Sequence, residues 1–266
     1  MTLDFIRALA AIRVLAVLAA LTGVAGRAGG QSLGEPVPAG YEDYLLLLRT
    51  PAGALPPVTT ASMLGVAQQS LQLVARYGYV ADITQPLARG TAGREKQSLS
   101  SFGLTGVIPA GLAGTMSLTA GVANVRCDGC RAQFMAALGG DYRLFAAGLP
   151  GPQNWRLTVG GQAEVGYGKR ERGSAWSGKL GVPIAVTVGA TEGTRVVPFL
   201  VPALSLVSSS GDLSDNGSSV GALFSTGGGV ALYNPKSRVG ASVGFQYVFV
   251  SASELAVGVA VSIGGR

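Results

Sequence analysis

The chain has 266 residues, of which 48% are hydrophobic and only 13% charged, with 41 glycines and a net charge of +6. An ordinary soluble domain is about a quarter charged, and a collagen would show a Gly-X-Y period that is absent here. Mean hydropathy is +0.40, yet beyond residues 1–30 no apolar run approaches the roughly 18 residues that a spanning helix needs, and no dense basic tract with interleaved aromatics points to nucleic acid.

Residues 1–30 read as a secretory signal peptide. Arg7 and Arg13 supply positive charge, residues 14–24 (VLAVLAALTGV) supply the apolar core, and small residues follow in AGRAGGQS. Cleavage is expected after Ala25 or after Gly30. The rival, an uncleaved anchor, is opposed by the short core and by Arg13, which blocks its extension backwards. No Cys follows the core, so a lipoprotein anchor is not expected. Export places the mature chain in an oxidising compartment. Residues 31–68 are expected to form a mostly irregular periplasmic lead-in. It holds five prolines (Pro36, Pro38, Pro51, Pro56, Pro57) and one short helical stretch over 41–49 (YEDYLLLLR). The leucines at 45–48 are expected to pack on the end of the domain or on a partner.

From about Leu71 the rhythm changes to period two. Leu71, Leu73, Ala75, Tyr77 and Tyr79 share one face against Gln72, Val74, Arg76 and Gly78. In 155–167, Trp155, Leu157, Val159, Ala163, Val165 and Tyr167 oppose Arg156, Thr158, Gly160, Gln162, Glu164 and Gly166. In 239–249, Val239, Ala241, Val243, Phe245, Tyr247 and Phe249 oppose Gly240, Ser242, Gly244, Gln246 and Val248. In 255–263, Leu255, Val257, Val259, Val261 and Ile263 oppose Ala256, Gly258, Ala260 and Ser262. Successive strand side chains point to opposite faces, so each segment carries an apolar side and a small or polar side. Further strands are expected near 99–108, 115–125, 131–139, 178–188, 196–207 and 220–233. Segment 131–139 alternates poorly, and 196–207 is apolar on both faces. The total is about ten strands, with eight as the alternative, each near the length that crosses a bilayer at a tilt.

The connections alternate. Residues 81–98, 126–130, 169–177 and 208–219 form polar or longer links on one side. Residues 109–114, 189–195 and 234–238 form tighter links on the other. The 140–154 link breaks this pattern unless 142–146 extends a strand. Lys or Arg on a lipid face at mid-depth costs roughly 2 to 4 kcal/mol. Charges gather in the links, at Arg89, Arg94, Glu95 and Lys96, at Lys169, Arg170, Glu171 and Arg172, at Asp212 and Asp215, and at Lys236 and Arg238. Arg76 and Glu164 are read as the charges well inside strands, both on the small or polar face. A soluble sandwich would turn its charged faces outward and carry more mid-strand charge.

With pieces such as VPFLVPALSL, GKLGVPIAVTVG and GGQAEVGYG, the stretch from Leu71 to Ile263 resembles the outer-membrane β-barrel domain family of Gram-negative bacteria. The resemblance implies an all-β, antiparallel up-and-down transmembrane barrel in the cell outer membrane. It implies outer-membrane lipids as surroundings and the barrel-assembly machinery as a partner. The chain departs from the family in closing on Ile263-Gly-Gly-Arg266, where such barrels end on an aromatic residue; Ile263 is expected to stand in for it.

No catalytic, metal or cofactor site is expected. Histidine is absent, which excludes Ser–His–Asp triads and removes the commonest zinc ligand. Gly227-Gly228-Gly229 lies within a strand pattern and is read as relief of crowding or a bend, not a phosphate loop. Cys127 and Cys130 form Cys-Asp-Gly-Cys in an outer link. A redox pair would need a helix after the first Cys, haem attachment would need His where Arg131 stands, and a zinc knuckle would need two more ligands. The expectation is a local disulfide pinning the link. Arg76 and Glu164 are expected to pair across the lumen and plug it, with a pore-lining or ligand-binding role as the alternative. The expected function is non-enzymatic, structural or at the cell surface. The rivals are a narrow, porin-like channel for small solutes and a secreted soluble barrel that binds a lipid-like ligand.

Overall fold

The computed structural model describes residues 55, 71–86, 94–111, 113–125, 132–150, 155–170, 173–189, 193–211, 218–249 and 254–264. The expected signal peptide, the helix over 41–49 and the Cys127–Cys130 link lie outside these residues.

Eleven β-strands follow one another in chain order: β1 Gln72–Pro86, β2 Arg94–Ala110, β3 Gly114–Val125, β4 Gln133–Gly148, β5 Arg156–Arg170, β6 Gly173–Gly181, β7 Ile184–Thr187, β8 Arg195–Gly211, β9 Ser218–Asn234, β10 Val239–Val248 and β11 Glu254–Gly264. All pairings are antiparallel. β6 and β7 both pair with β5 on one side and β8 on the other. They are two halves of one wall strand, interrupted at Val182 and Pro183. Proline cannot donate to a ladder, so it falls at such an interruption. The break is bridged by Gly160 N–H donating to the Pro183 carbonyl at 2.8 Å and Val182 N–H donating to the Pro202 carbonyl at 3.0 Å.

The wall is therefore ten strands, and it closes. β1 pairs with β11 from Gln72↔Gly264 to Val80↔Ala256. Closure leaves no unpaired edge, the condition for strands to cross hydrocarbon. Every strand expected from the period-two pattern is present, and most run longer. β4 continues through 142–146 to Gly148, and Leu149 N–H then donates to the Trp155 carbonyl at 2.8 Å. The over-long 140–154 link is thus mostly strand, but the remaining 149–155 connection is still as long as those of the opposite end, so the expected alternation of long and short connections does not hold there. The expected polar link at 169–177 is mostly strand as well: β5 runs to Arg170 and β6 starts at Gly173.

Two turns at one end of the barrel are built by specific turn chemistry. Gly111 takes φ of +76° between β2 and β3, a conformation glycine adopts without strain. Between β9 and β10, the Asn234 Oδ1 accepts from the backbone N–H of Lys236 at 3.0 Å and of Ser237 at 3.1 Å. Arg238 completes that turn at φ 57°.

The two faces differ as the alternation requires. Leu73, Tyr77, Leu104, Leu118, Leu138, Val165, Leu180, Leu206, Val243 and Val259 all point outward and are exposed. Together they form an apolar band around the wall. Aromatic residues gather toward its ends. Tyr167 and Trp176 pack with ring centroids 4.7 Å apart, and Phe249 lies 5.2 Å from Phe224 and 4.9 Å from Tyr247. Trp155 lies at the opposite end, immediately before β5. An exposed apolar band of this extent is not tolerated on a soluble monomer, and with interfacial aromatics it is the exterior of a transmembrane barrel. The chain is a ten-strand β-barrel of the outer-membrane type.

Candidate functional site: the barrel lumen

The strand period decides what points inward. On β2 the lumenal positions are Leu99, Ser101, Gly103, Thr105 and Val107, all buried. Val197, Phe199 and Val201 of β8 pack inside with Ala185 and Ala231. Val74, Val107 and Ala260 form a second apolar cluster. The doubly apolar character of 196–207 has its reason here: Val196, Leu200 and Leu206 meet lipid while Val197, Phe199, Val201 and Val207 fill the interior.

Around and between these clusters the lumen is polar. Arg76 on β1 is 3% exposed. Its Nη2 donates to Thr119 Oγ1 on β3 at 2.8 Å, and Thr119 Oγ1 shares a 2.8 Å hydrogen bond with Thr105 Oγ1 on β2. One guanidinium thus ties three neighbouring strands together on their inner face. Burying a charged group in this way requires hydrogen-bond partners and an opposing charge.

Glu164 on β5 is that opposing charge. It faces the lumen, and its charge acts on both Arg76 and Lys179. Gly139 is its register partner on β4. A Cβ on Gly139 would stand 3.3 Å from Glu164 Cβ and Cγ, so the glycine gives the acid room to lean over the neighbouring strand. Arg76 and Glu164 thus both face the lumen, and the described hydrogen bond of Arg76 goes to Thr119.

Lys179 is a lumenal charge that the sequence reading missed. It is 6% exposed on β6 and is the direct register partner of Glu164. The signal was present: Trp176 and Leu180 belong to the outer face, so a strict period of two turns Lys179 inward. Asp141 was assigned to a link and belongs instead to β4, where its Oδ2 accepts from Thr115 Oγ1 at 2.6 Å. Its strand was hidden by poor alternation and by a register shift between Arg143 and Phe145.

Leu55 is the described residue of the lead-in, and it lies inside the wall. It is 3% exposed and lines a cleft with the inward-facing Gly78, Gly244, Gln246, Ala256 and Gly258. Among the described residues, no group of three or more His, Cys, Asp or Glu is placed to hold a metal ion.

No family model and no curated protein matches the chain. Several solved structures are similar to it. The translocator domain of the autotransporter NalP from Neisseria meningitidis is 12% identical, with 73% of this chain and 88% of that chain covered and a TM-score of 0.36. The β-domain of the Bordetella autotransporter BrkA is 10% identical, with 73% and 99% covered and a TM-score of 0.44. LpxR from Salmonella typhimurium is 10% identical, with 73% and 99% covered and a TM-score of 0.41. The transmembrane assignment stands on this chain's own closed ladder and apolar exterior.

Proposed function

We propose that this barrel works without catalysis, as a structural or surface protein of the outer membrane whose lumen is closed to solute flow. The observation that carries the reading is the filling of the interior. Val107, Val197, Val207 and Ser205 point inward and are entirely withdrawn from solvent. Arg76, Glu164 and Lys179 also turn inward, from β1, β5 and β6, and Glu164 is the register partner of Lys179. Barrels of this strand number are filled by their own side chains. A non-catalytic role is supported by the lack of histidine, without which a Ser–His–Asp relay cannot be built.

The test is reconstitution of the full mature chain in planar bilayers. A closed barrel inserts, shifts in mobility on boiling before SDS gel electrophoresis, and passes no steady current. Steady open steps from the unmodified protein would favour the rival channel for small solutes. Recovery as a detergent-free monomer would favour the soluble lipid binder. Mass spectrometry of outer-membrane lipids incubated with the protein checks the catalytic side: a new lipid species that depends on the protein would overturn the non-enzymatic reading.

A further inference from the structure

The lumenal wall has a strip with no side chains on it. Gly78 of β1, Gly258 of β11, Gly244 of β10 and Gly229 of β9 are successive register partners, forming one rung across four strands. A second glycine rung, Gly103 with Gly121, lies on β2 and β3. Glycine is disfavoured in strands, for want of packing and for its entropy, unless something approaches the backbone closely. Here something does. A Cβ on Gly103 would meet Leu55 Cδ1 at 2.5 Å and Leu55 Cδ2 at 3.5 Å. The same leucine borders Gly78, Gly244 and Gly258, and the cleft between them leaves no space for a water molecule.

We propose that Leu55 is a lumenal stopper: a residue far outside the barrel strands in sequence that closes the waist by seating against a strip of glycines. The inference rests on the closed-lumen reading above and names what closes it. Three features of the seat fit that role. It is specific, because glycines at Gly78, Gly103, Gly244 and Gly258 remove the side chains that would otherwise occupy this volume. It lies at the charged waist, because Gly103 is the register partner of Arg76. It is apolar at its centre, and an apolar constriction blocks ions by excluding water from a narrow passage.

The experiment compares wild type, Leu55→Gly and Leu55→Met, each as the full mature chain, in planar bilayers. Heat-modifiable mobility on gels establishes that each is folded. Wild type and Leu55→Met are expected to stay closed, since methionine refills the seat. Leu55→Gly is expected to show open steps with mean conductance at least about tenfold above wild type, because the dewetted constriction is gone. A folded, closed Leu55→Gly beside a closed wild type would overturn the stopper while leaving the closed-lumen reading intact. An open wild type would overturn that reading itself. Should Leu55→Gly fail to fold, Leu55→Cys in a Cys127→Ser, Cys130→Ser background gives the second measurement. The thiol introduced by Leu55→Cys, once seated, is expected to react with a water-soluble maleimide at least about tenfold more slowly in the folded barrel than in urea, because a thiol withdrawn from solvent is out of reach of the reagent. Equal rates would overturn the proposal.

Discussion

Glu164 and Lys179 are direct register partners on β5 and β6 and both face the lumen. Arg76, from β1, is the second buried cation turned into the same lumen. The arrangement is asymmetric: one acid serves two bases. Removing the acid leaves two buried cations to repel each other, whereas removing Lys179 leaves Glu164 still opposed by Arg76. Glu164→Gln is therefore expected to cost more than Lys179→Met, with the first near the 3 to 5 kcal/mol typical of a broken buried pair and the second about half that. Urea unfolding in bilayers of defined composition measures both. A double-mutant cycle should show a coupling of about 1 kcal/mol or more between the two positions. Equal costs, or additive ones, would mean that the three charges do not form one cluster.

The Arg76–Thr119–Thr105 chain supports a second prediction. Thr119 takes part in two buried hydrogen bonds and Thr105, within this chain, in one. Thr119→Val strips a buried guanidinium of a partner, and bonds to charged groups are worth about 1.5 to 3 kcal/mol. Thr105→Val removes a neutral bond worth about 1 kcal/mol. The expected order of destabilisation in urea is Thr119→Val above Thr105→Val. The reverse order would show that the Arg76 guanidinium is held chiefly by other groups.

Much of this architecture was legible in the sequence. A membrane strand must alternate because one face meets lipid and the next meets the interior, so the period of two that placed Tyr77, Val165, Val243 and Val259 outward also fixed Arg76 and Glu164 inward. Lys179 was equally readable, but its neighbour Gly178 and the nearby Pro183 obscure the rhythm. β4 was hard for a physical reason: its lumenal side carries Gly139, Asp141 and Arg143, which look like a polar link, and its bulge resets the phase. Leu55 was not legible at all. Its seat is assembled from glycines on β1, β2, β10 and β11, far apart in the chain, and a lone leucine between prolines carries no periodicity that points to a lumen.

The lipid face gives a third prediction. Val259 lies mid-strand on β11, outward and 51% exposed, with Tyr77 and Val243 as its register partners on either side. Val259→Arg would place a charge in hydrocarbon and should cost about 2 to 4 kcal/mol. Its chain neighbours Gly258 and Ala260 alternate to the interior and do not share this environment. The check is the urea midpoint of the variant in bilayers against wild type. A harmless Val259→Arg would mean that β11 does not present this face to lipid, and the register of the barrel seam would have to be shifted.

Two glycines with opposite surroundings supply the last prediction. Gly121 on β3 has no room for a side chain. A Cβ there would collide with the Phe102 carbonyl oxygen, stand 2.9 Å from Gly103 Cα and 3.0 Å from Met135 Cε. The first two are backbone atoms of the adjacent strand and cannot swing aside as a side chain can. Gly121→Ala must therefore separate β2 from β3 locally, and overpacking of this kind costs about 1 to 3 kcal/mol. Gly178 on β6 is the control, since a Cβ there meets nothing within 4 Å. Gly178→Ala should be neutral or stabilising by a few tenths up to about 1 kcal/mol, because alanine leaves the unfolded chain with less freedom to lose. Both variants are read by urea unfolding and by the temperature at which the folded gel band is lost. Loss of stability in Gly178→Ala with none in Gly121→Ala would place the close β2–β3 approach somewhere other than the Gly103–Gly121 rung. It would also remove one side of the glycine strip against which Leu55 is seated.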